Sequence, residues 1–267
     1  MKRFRRLLFF VPPWLFTAGS LAQDRFVHID FGKCASVTNL AAGEIEKLGQ
    51  LKWYFAHASV GENMMEGIAD LNKADGRVFP VRAASADSRP PATTQPGIIY
   101  EENRGNPGWK SKLDKFHDAI AHGWKFPAVD VAMNKLCYID QLASAPYYIN
   151  SMTNLESISP KTTLVYMTMP LTTAADADNY LRNGFNTRVR EWCRSRGRVL
   201  FDIADIEAHA ATGVPCEFKH HGKICQCLCG DYTTDGGHLN AQGRQLVAKG
   251  FYALGAALVA KPVQLAD

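Results

Sequence analysis

The 267-residue sequence predicts an α/β fold, a mostly parallel sheet covered by helices on both faces. Three observations lead there. The chain is 46% apolar and 21% charged, ordinary proportions for a globular protein and not for a disordered or fibrous one. Short apolar runs of strand length alternate with segments whose apolar residues recur at helical spacing. No stretch beyond residue 22 approaches the roughly 18 apolar residues of a membrane span.

The elements follow in order. Residues 1–22 read as a secretory signal: a basic start from Lys2 to Arg6, an apolar run from Leu7 to Phe16 and a Ser20-Leu21-Ala22 cleavage site before Gln23. Residues 23–267 are then expected to form a single domain, periplasmic or secreted, with no membrane span after signal cleavage. Lys52–His57 (KWYFAH) is a strand. Glu62–Leu71 is a helix, with Met64, Met65, Ile68 and Leu71 on one face. Residues 82–97 are polar and rich in Pro, Ala and Ser, and read as an exposed loop. Lys110–His122 is a helix burying Leu113, Phe116 and Ile120. Val129–Cys137, Thr163–Met169 and Arg198–Ile203 are strands. Asp176–Arg196 is a helix with Leu181, Phe185, Val189 and Trp192 in a stripe. Residues 212–237, rich in Gly, Cys and His, are expected to be irregular. Ala241–Leu258 is the last helix, with Asn240 as its N-cap.

Charge narrows the function classes. The chain has 30 basic and 26 acidic residues, a net charge of +4. Lys2, Arg3, Arg5 and Arg6 carry that excess, and without them the count is 26 against 26. No basic surplus remains for a nucleic-acid surface.

In a parallel α/β sheet, ligands bind at the carboxyl ends of the strands. Those ends hold His57-Ala58-Ser59, the Cys137–Asp140 segment and the loop after Ile203. Ser59 falls between a strand and a helix, where its oxygen is exposed near the free N–H groups and positive end of the helix. That placement suits a nucleophile or, more plainly, an N-cap. Asp235 and His238 lie in Thr233-Thr234-Asp235-Gly236-Gly237-His238, directly before the last helix. A catalytic histidine needs one ring nitrogen on the nucleophile and an acceptor fixing the other, and a carboxylate three residues upstream on a tight turn can be that acceptor.

Together these blocks resemble the SGNH, or GDSL-type, esterase and acyl-hydrolase superfamily, as a divergent member. Ser59 matches the serine after the first strand, and Asp235-x-x-His238 matches the block before the final helix. The resemblance runs from about Lys52 to Leu258. It implies a three-layer α/β/α, flavodoxin-like fold, a serine ester hydrolase with Ser59, Asp235 and His238 as catalytic residues, and no cofactor. The expected substrate is a small-molecule or carbohydrate ester; export suggests carbohydrate O-acetyl groups or lipid esters, and the sequence does not decide between them. His57-Ala58-Ser59-Val60 departs from G-D-S-L and matches only at the serine. The family's oxyanion glycine falls within Arg104-Gly105-Asn106-Pro107-Gly108, with Gly108 favoured over Gly105 and Asn106. Its oxyanion asparagine is missing from Cys137-Tyr138-Ile139-Asp140, leaving Asn134 or Lys135 as substitutes.

Seven cysteines are present, and Cys216, Cys225, Cys227 and Cys229 fall within fourteen residues. In an oxidising compartment this reads as at least one disulfide among the four. With His220 and His221 the loop also has soft-metal ligand types, although C-x-C-x-C is not a usual zinc spacing. Three functions are therefore carried forward: an exported serine esterase or acyl-hydrolase, a non-catalytic binding protein on the same fold, and a metal-binding protein using the Cys/His loop.

Overall fold

The computed structural model describes residues 26–39, 46–74, 81–85, 96–122 and 129–260, so the expected signal segment lies outside the described residues. Among the described residues seven strands form one parallel sheet: β1 (Val27–Ile29), β2 (Trp53–His57), β3 (Arg82–Ser85), β4 (Ile98–Asn103), β5 (Val131–Asn134), β6 (Thr163–Met167) and β7 (Val199–Phe201). They lie side by side in the order β1-β7-β6-β5-β2-β4-β3.

Strand alternation builds two cores. Trp53, Phe55, Val131, Met133, Val165 and Phe201 face one layer, made of α1 (Phe31–Ala35), α2 (Val60–Ala74), α6 (Ile203–Glu207) and α7 (Ala241–Ala260). Tyr54, Ala56, Ala132, Leu164, Tyr166 and Leu200 face the other, made of α3 (Trp109–Ala121), α4 (Ala145–Ile158) and α5 (Ala177–Arg196). Because both faces are covered, the strands read as near-continuous apolar runs and not as alternating ones. The three-layer α/β/α fold is therefore as the sequence predicts.

β2 is flanked by β4 and β5. The chain leaves β2 through α2 toward β3 at one edge, returns to β4, and crosses through α3 to β5 on the other side. The strand order thus reverses around β2, and in sheets of this kind ligands bind outside the carboxyl ends of the strands at such a reversal.

Three expectations are corrected. Residues 82–85 are not loop but the edge strand β3, hydrogen-bonded to β4, which begins at Ile98. A short edge strand needs no long apolar run, so R-A-A-S carries almost no sequence signal. The strand expected over Val129–Cys137 ends at Asn134. Beyond it the Asp140 carboxylate accepts the Cys137 N–H at 2.7 Å and winds Tyr138–Asp140 into a 3-10 turn. Residues 212–237 are not irregular throughout: β8 (Glu217–His220) and β9 (Lys223–Gln226) form an antiparallel hairpin. Its two turn residues, His221 (φ 46°) and Gly222 (φ 77°), are both left-handed, as a tight two-residue hairpin turn requires. A disulfide joins Cys216 to Cys229 across this segment.

Candidate active site

Ser59 stands in the turn between β2 and α2. Its φ is +57°, a left-handed conformation uncommon for a residue with a side chain. Two contacts impose it. The Ser59 carbonyl accepts from Glu62 N–H at 2.7 Å, opening the first turn of α2. Gly61 presses on the side chain of His57, so closely that a Cβ at position 61 would stand 2.3 Å from the His57 Cβ. The chain therefore turns sharply, with Ser59 at the apex. The hydroxyl is not an N-cap; it is 2.6 Å from His238 Nε2.

His238 Nδ1 lies 2.7 Å from Asp235 Oδ2. With Nδ1–H donated to that carboxylate, Nε2 is the acceptor and Ser59 Oγ–H the donor. The other carboxylate oxygen of Asp235 accepts from the Gly237 and His238 N–H groups at 2.9 and 2.8 Å. Those backbone donors, followed by the His238 side chain, hold the Asp235 carboxyl well below the ordinary carboxylate range. Thr173 N–H donates to the Gly236 carbonyl at 2.9 Å and ties this turn to the segment after β6. The turn's bridge between Thr233 and Leu239, and the bond from Leu239 N–H to Asn63 Oδ1 at 3.1 Å, bring it onto α2. The site is open: His238 and Asp235 side chains are 43% and 55% exposed.

The expected oxyanion donors are placed less directly. Gly105 (φ 64°) and Gly108 (φ 91°) lie in the loop at the carboxyl end of β4, the neighbour of β2, and Gly108 is the exposed N-cap of α3. Asn134, at the end of β5 beside Ala56, is fully buried, and neither atom of its amide has a hydrogen-bond partner. Its amide faces the protein interior. Lys135 is also fully buried; its Nζ donates to the Leu136 carbonyl at 3.2 Å, and burial lowers its pKa.

Sequence reasoning did not single out Tyr138. Its hydroxyl is 3.4 Å from His238 Nε2, and its ring meets the imidazole edge-on at 5.5 Å between centroids. The one available signal was its position, in the segment where the asparagine was sought. His57 was likewise passed over. It is buried, its Nε2 is hydrogen-bonded to Glu101 on β4, and burial pushes its pKa below the ordinary value. Behind the site, Lys112 and Asp140 form a buried ion pair at 2.6 Å. The nearby Arg104 donates to the Lys135 carbonyl at 2.8 Å, and burial brings its pKa down to about 10.

The Cys/His loop is held by packing as well as by its disulfide. His220 and His221 pack on Tyr180 of α5, and Gln226 receives a hydrogen bond from Arg190 at 2.8 Å. Among the described residues no three His, Cys, Asp or Glu side chains gather as metal ligands, and no helix is long and apolar enough to cross a membrane.

No family model matches the chain, and neither does any curated protein. Solved structures similar to it include a GDSL-like lipase from Bacteroides thetaiotaomicron, 11% identical, TM-score 0.46, matched over 85% of this chain and 97% of that one. An acetyl-xylooligosaccharide esterase from Geobacillus is 11% identical, TM-score 0.47, over 75% and 92%. The periplasmic domain of a lipopolysaccharide acetyltransferase from Salmonella is 9% identical, TM-score 0.41, over 90% and 94%.

Proposed function

We propose that this chain is an exported serine ester hydrolase in which Ser59 is the nucleophile, His238 the general base and Asp235 the group that orients it. One observation carries the reading: Ser59 Oγ, His238 Nε2 and Nδ1, and Asp235 Oδ2 lie in unbroken hydrogen-bond sequence at 2.6 and 2.7 Å. The sequence runs through a serine held in a strained turn at the strand-order reversal. Strain of this kind, at about 1–3 kcal/mol, persists only where the surrounding structure imposes it.

Chemistry follows from the arrangement. His238 takes the Ser59 proton as Oγ bonds to the ester carbonyl carbon. The carbonyl oxygen becomes an oxyanion, and the Ser59 N–H, at the positive end of α2, is the donor this reading assigns to it. A further donor comes from the loop holding Gly105 and Gly108, each such donor being worth about 3 kcal/mol of barrier. The carbon–oxygen bond to the alcohol then breaks, and the proton on His238 goes to the departing oxygen. Water, or a sugar hydroxyl in a transfer reaction, gives its proton to His238 and attacks the acyl carbon, and Ser59 Oγ leaves and recovers that proton. The chain needs no cofactor for this.

The openness of the site favours a small acyl group on a bulky alcohol, and export favours carbohydrate O-acetyl groups. An ester panel on the purified mature protein tests this. Acetyl esters of sugars should be cleaved, and Ser59→Ala should abolish the activity. A folded wild-type protein inert toward the whole panel would contradict the reading.

A further inference from the structure

Tyr138 has no place in the relay just described, yet the surrounding residues converge to hold it there. Its backbone carbonyl accepts from Arg182 Nε at 2.6 Å, and the same guanidinium stands 6.0 Å over its ring. Asp140 fixes the turn from the other side, through the Cys137 N–H at 2.7 Å and the buried Lys112 at 2.6 Å. The Asp-Gly-Gly-His turn leaves room for the ring: a Cβ at Gly237 would stand 3.0 Å from Tyr138 Cε1 and Cζ. The second glycine of that turn thus admits this aromatic ring beside the histidine. Held so, the hydroxyl lies 3.4 Å from His238 Nε2, the nitrogen that Ser59 Oγ meets at 2.6 Å. Burial, with Asp235 nearby, raises its pKa above the ordinary tyrosine value, so the phenol keeps its proton at neutral pH.

The space shared by Ser59 Oγ, His238 Nε2 and the Tyr138 hydroxyl is where the oxygen that leaves the acyl carbon must pass, because that oxygen collects its proton from Nε2. It is also where the second acceptor hydroxyl must enter, since Nε2 removes its proton. Resting on the proposed ester hydrolysis, the geometry points to Tyr138 as a further catalytic residue, one that hydrogen-bonds the departing alcohol oxygen and then the incoming water. Tyr138 keeps its own proton throughout. The bond that breaks is the ester carbon–oxygen bond, and the proton delivered to the alcohol is the one His238 took from Ser59. The hydroxyl steadies negative charge on the departing oxygen before that proton arrives.

Leaving-group dependence tests this. A p-nitrophenolate departs without a proton, whereas an alkoxide does not. Tyr138→Phe keeps the half-buried ring and removes only the hydroxyl, so it should melt at the wild-type temperature. Its kcat/KM on an alkyl acetate should fall about tenfold to a hundredfold, the range for a hydrogen bond to a charged group. On p-nitrophenyl acetate it should stay within about threefold, as expected when no such hydrogen bond is needed. Equal losses on the two esters would assign Tyr138 to the oxyanion or to structure and overturn the inference, as would no loss on either. A folded wild-type protein that cleaves neither these acetates nor any other ester of the panel would overturn the ester-hydrolase reading itself, and this inference with it.

Discussion

At Ser59 the backbone conformation and the proposed chemistry pull in different directions, and this gives a test. A left-handed φ costs a residue with a Cβ about 1–2 kcal/mol. Ser59→Gly should therefore be more stable than Ser59→Ala by about 1 kcal/mol, while both lose all esterase activity. Denaturant melts of the two variants measure the difference, and equal midpoints would show that the turn carries no strain. At the other end of the relay, His238→Ala should lose about as much activity as Ser59→Ala, because members of a triad act as a unit. Asp235→Asn should lose less, since it exchanges no proton. The Asp235 carboxyl is depressed by the Gly237 and His238 N–H groups first and the imidazole second. Its charge, and the orientation it gives His238, persist through the ordinary carboxylate range and fail only at lower pH. Acid-side loss of activity should therefore show no inflection from Asp235 within the ordinary carboxylate range, and one there would contradict the assignment. The three relay residues were legible in the sequence because each sits where local rules are strong, at a strand-to-helix turn and in a tight glycine-rich turn. Tyr138 and His57 were not legible. Their roles come from contacts 100 and 44 residues away along the chain.

At the scale of elements, the turn carrying Asp235 and His238 hangs between α7 and the β8–β9 segment. Asn240 caps α7 through Oδ1, which accepts from the Gln242 and Gly243 N–H groups at 3.0 and 3.1 Å, as its sequence position predicts. On the other side, Cys229 is fixed twice, by its disulfide to Cys216 and by its N–H on the Glu207 carbonyl at 2.9 Å. Closing a loop of 13 residues should stabilise the fold by about 3 kcal/mol. Replacing Cys216 and Cys229 together with Ser should lower stability by about that amount, and reducing agent should lower the wild-type melting temperature but not the variant's. Unchanged melting of the double variant would contradict the assignment. The helices α2, α3, α5 and α7 and the strands β2, β5, β6 and β7 were legible because their apolar residues are strongly patterned, whereas α4 and β4 were not read from the sequence. β1, β3 and the hairpin were not, because each is only three or four residues long and gains its conformation from its partner.

For the molecule as a whole, the layer of α1, α2, α6 and α7 encloses a carboxylate without a full partner. Glu207 is completely buried; its Oε2 accepts from Leu171 N–H at 2.9 Å, while Oε1 has no partner. Burial raises its pKa to about 8, against the weaker opposing effects of the Leu171 hydrogen bond and Lys135. In the unfolded chain the same group titrates near 4.3. Folded and unfolded states are equally protonated below that value. Between it and about 8 the unfolded state loses the proton and the folded state keeps it, so stability falls as pH rises through this window. Glu207→Gln keeps an oxygen for Leu171 and removes the titration. Its melting temperature should gain on wild type steadily from pH 5 to pH 8, and a constant difference would contradict this. The sheet order was only partly legible, since the reversal around β2 depends on strands that carry no sequence signal. That reversal nonetheless brings Ser59 to the carboxyl end of β2, beside His238. The most direct test is to treat the folded mature protein with a fluorophosphonate and map the adduct by peptide mass. One phosphonyl group should appear on the peptide containing Ser59, absent in Ser59→Ala and strongly slowed in His238→Ala. No adduct on the folded wild type, or an adduct on another residue that survives Ser59→Ala, would contradict Ser59 as the nucleophile.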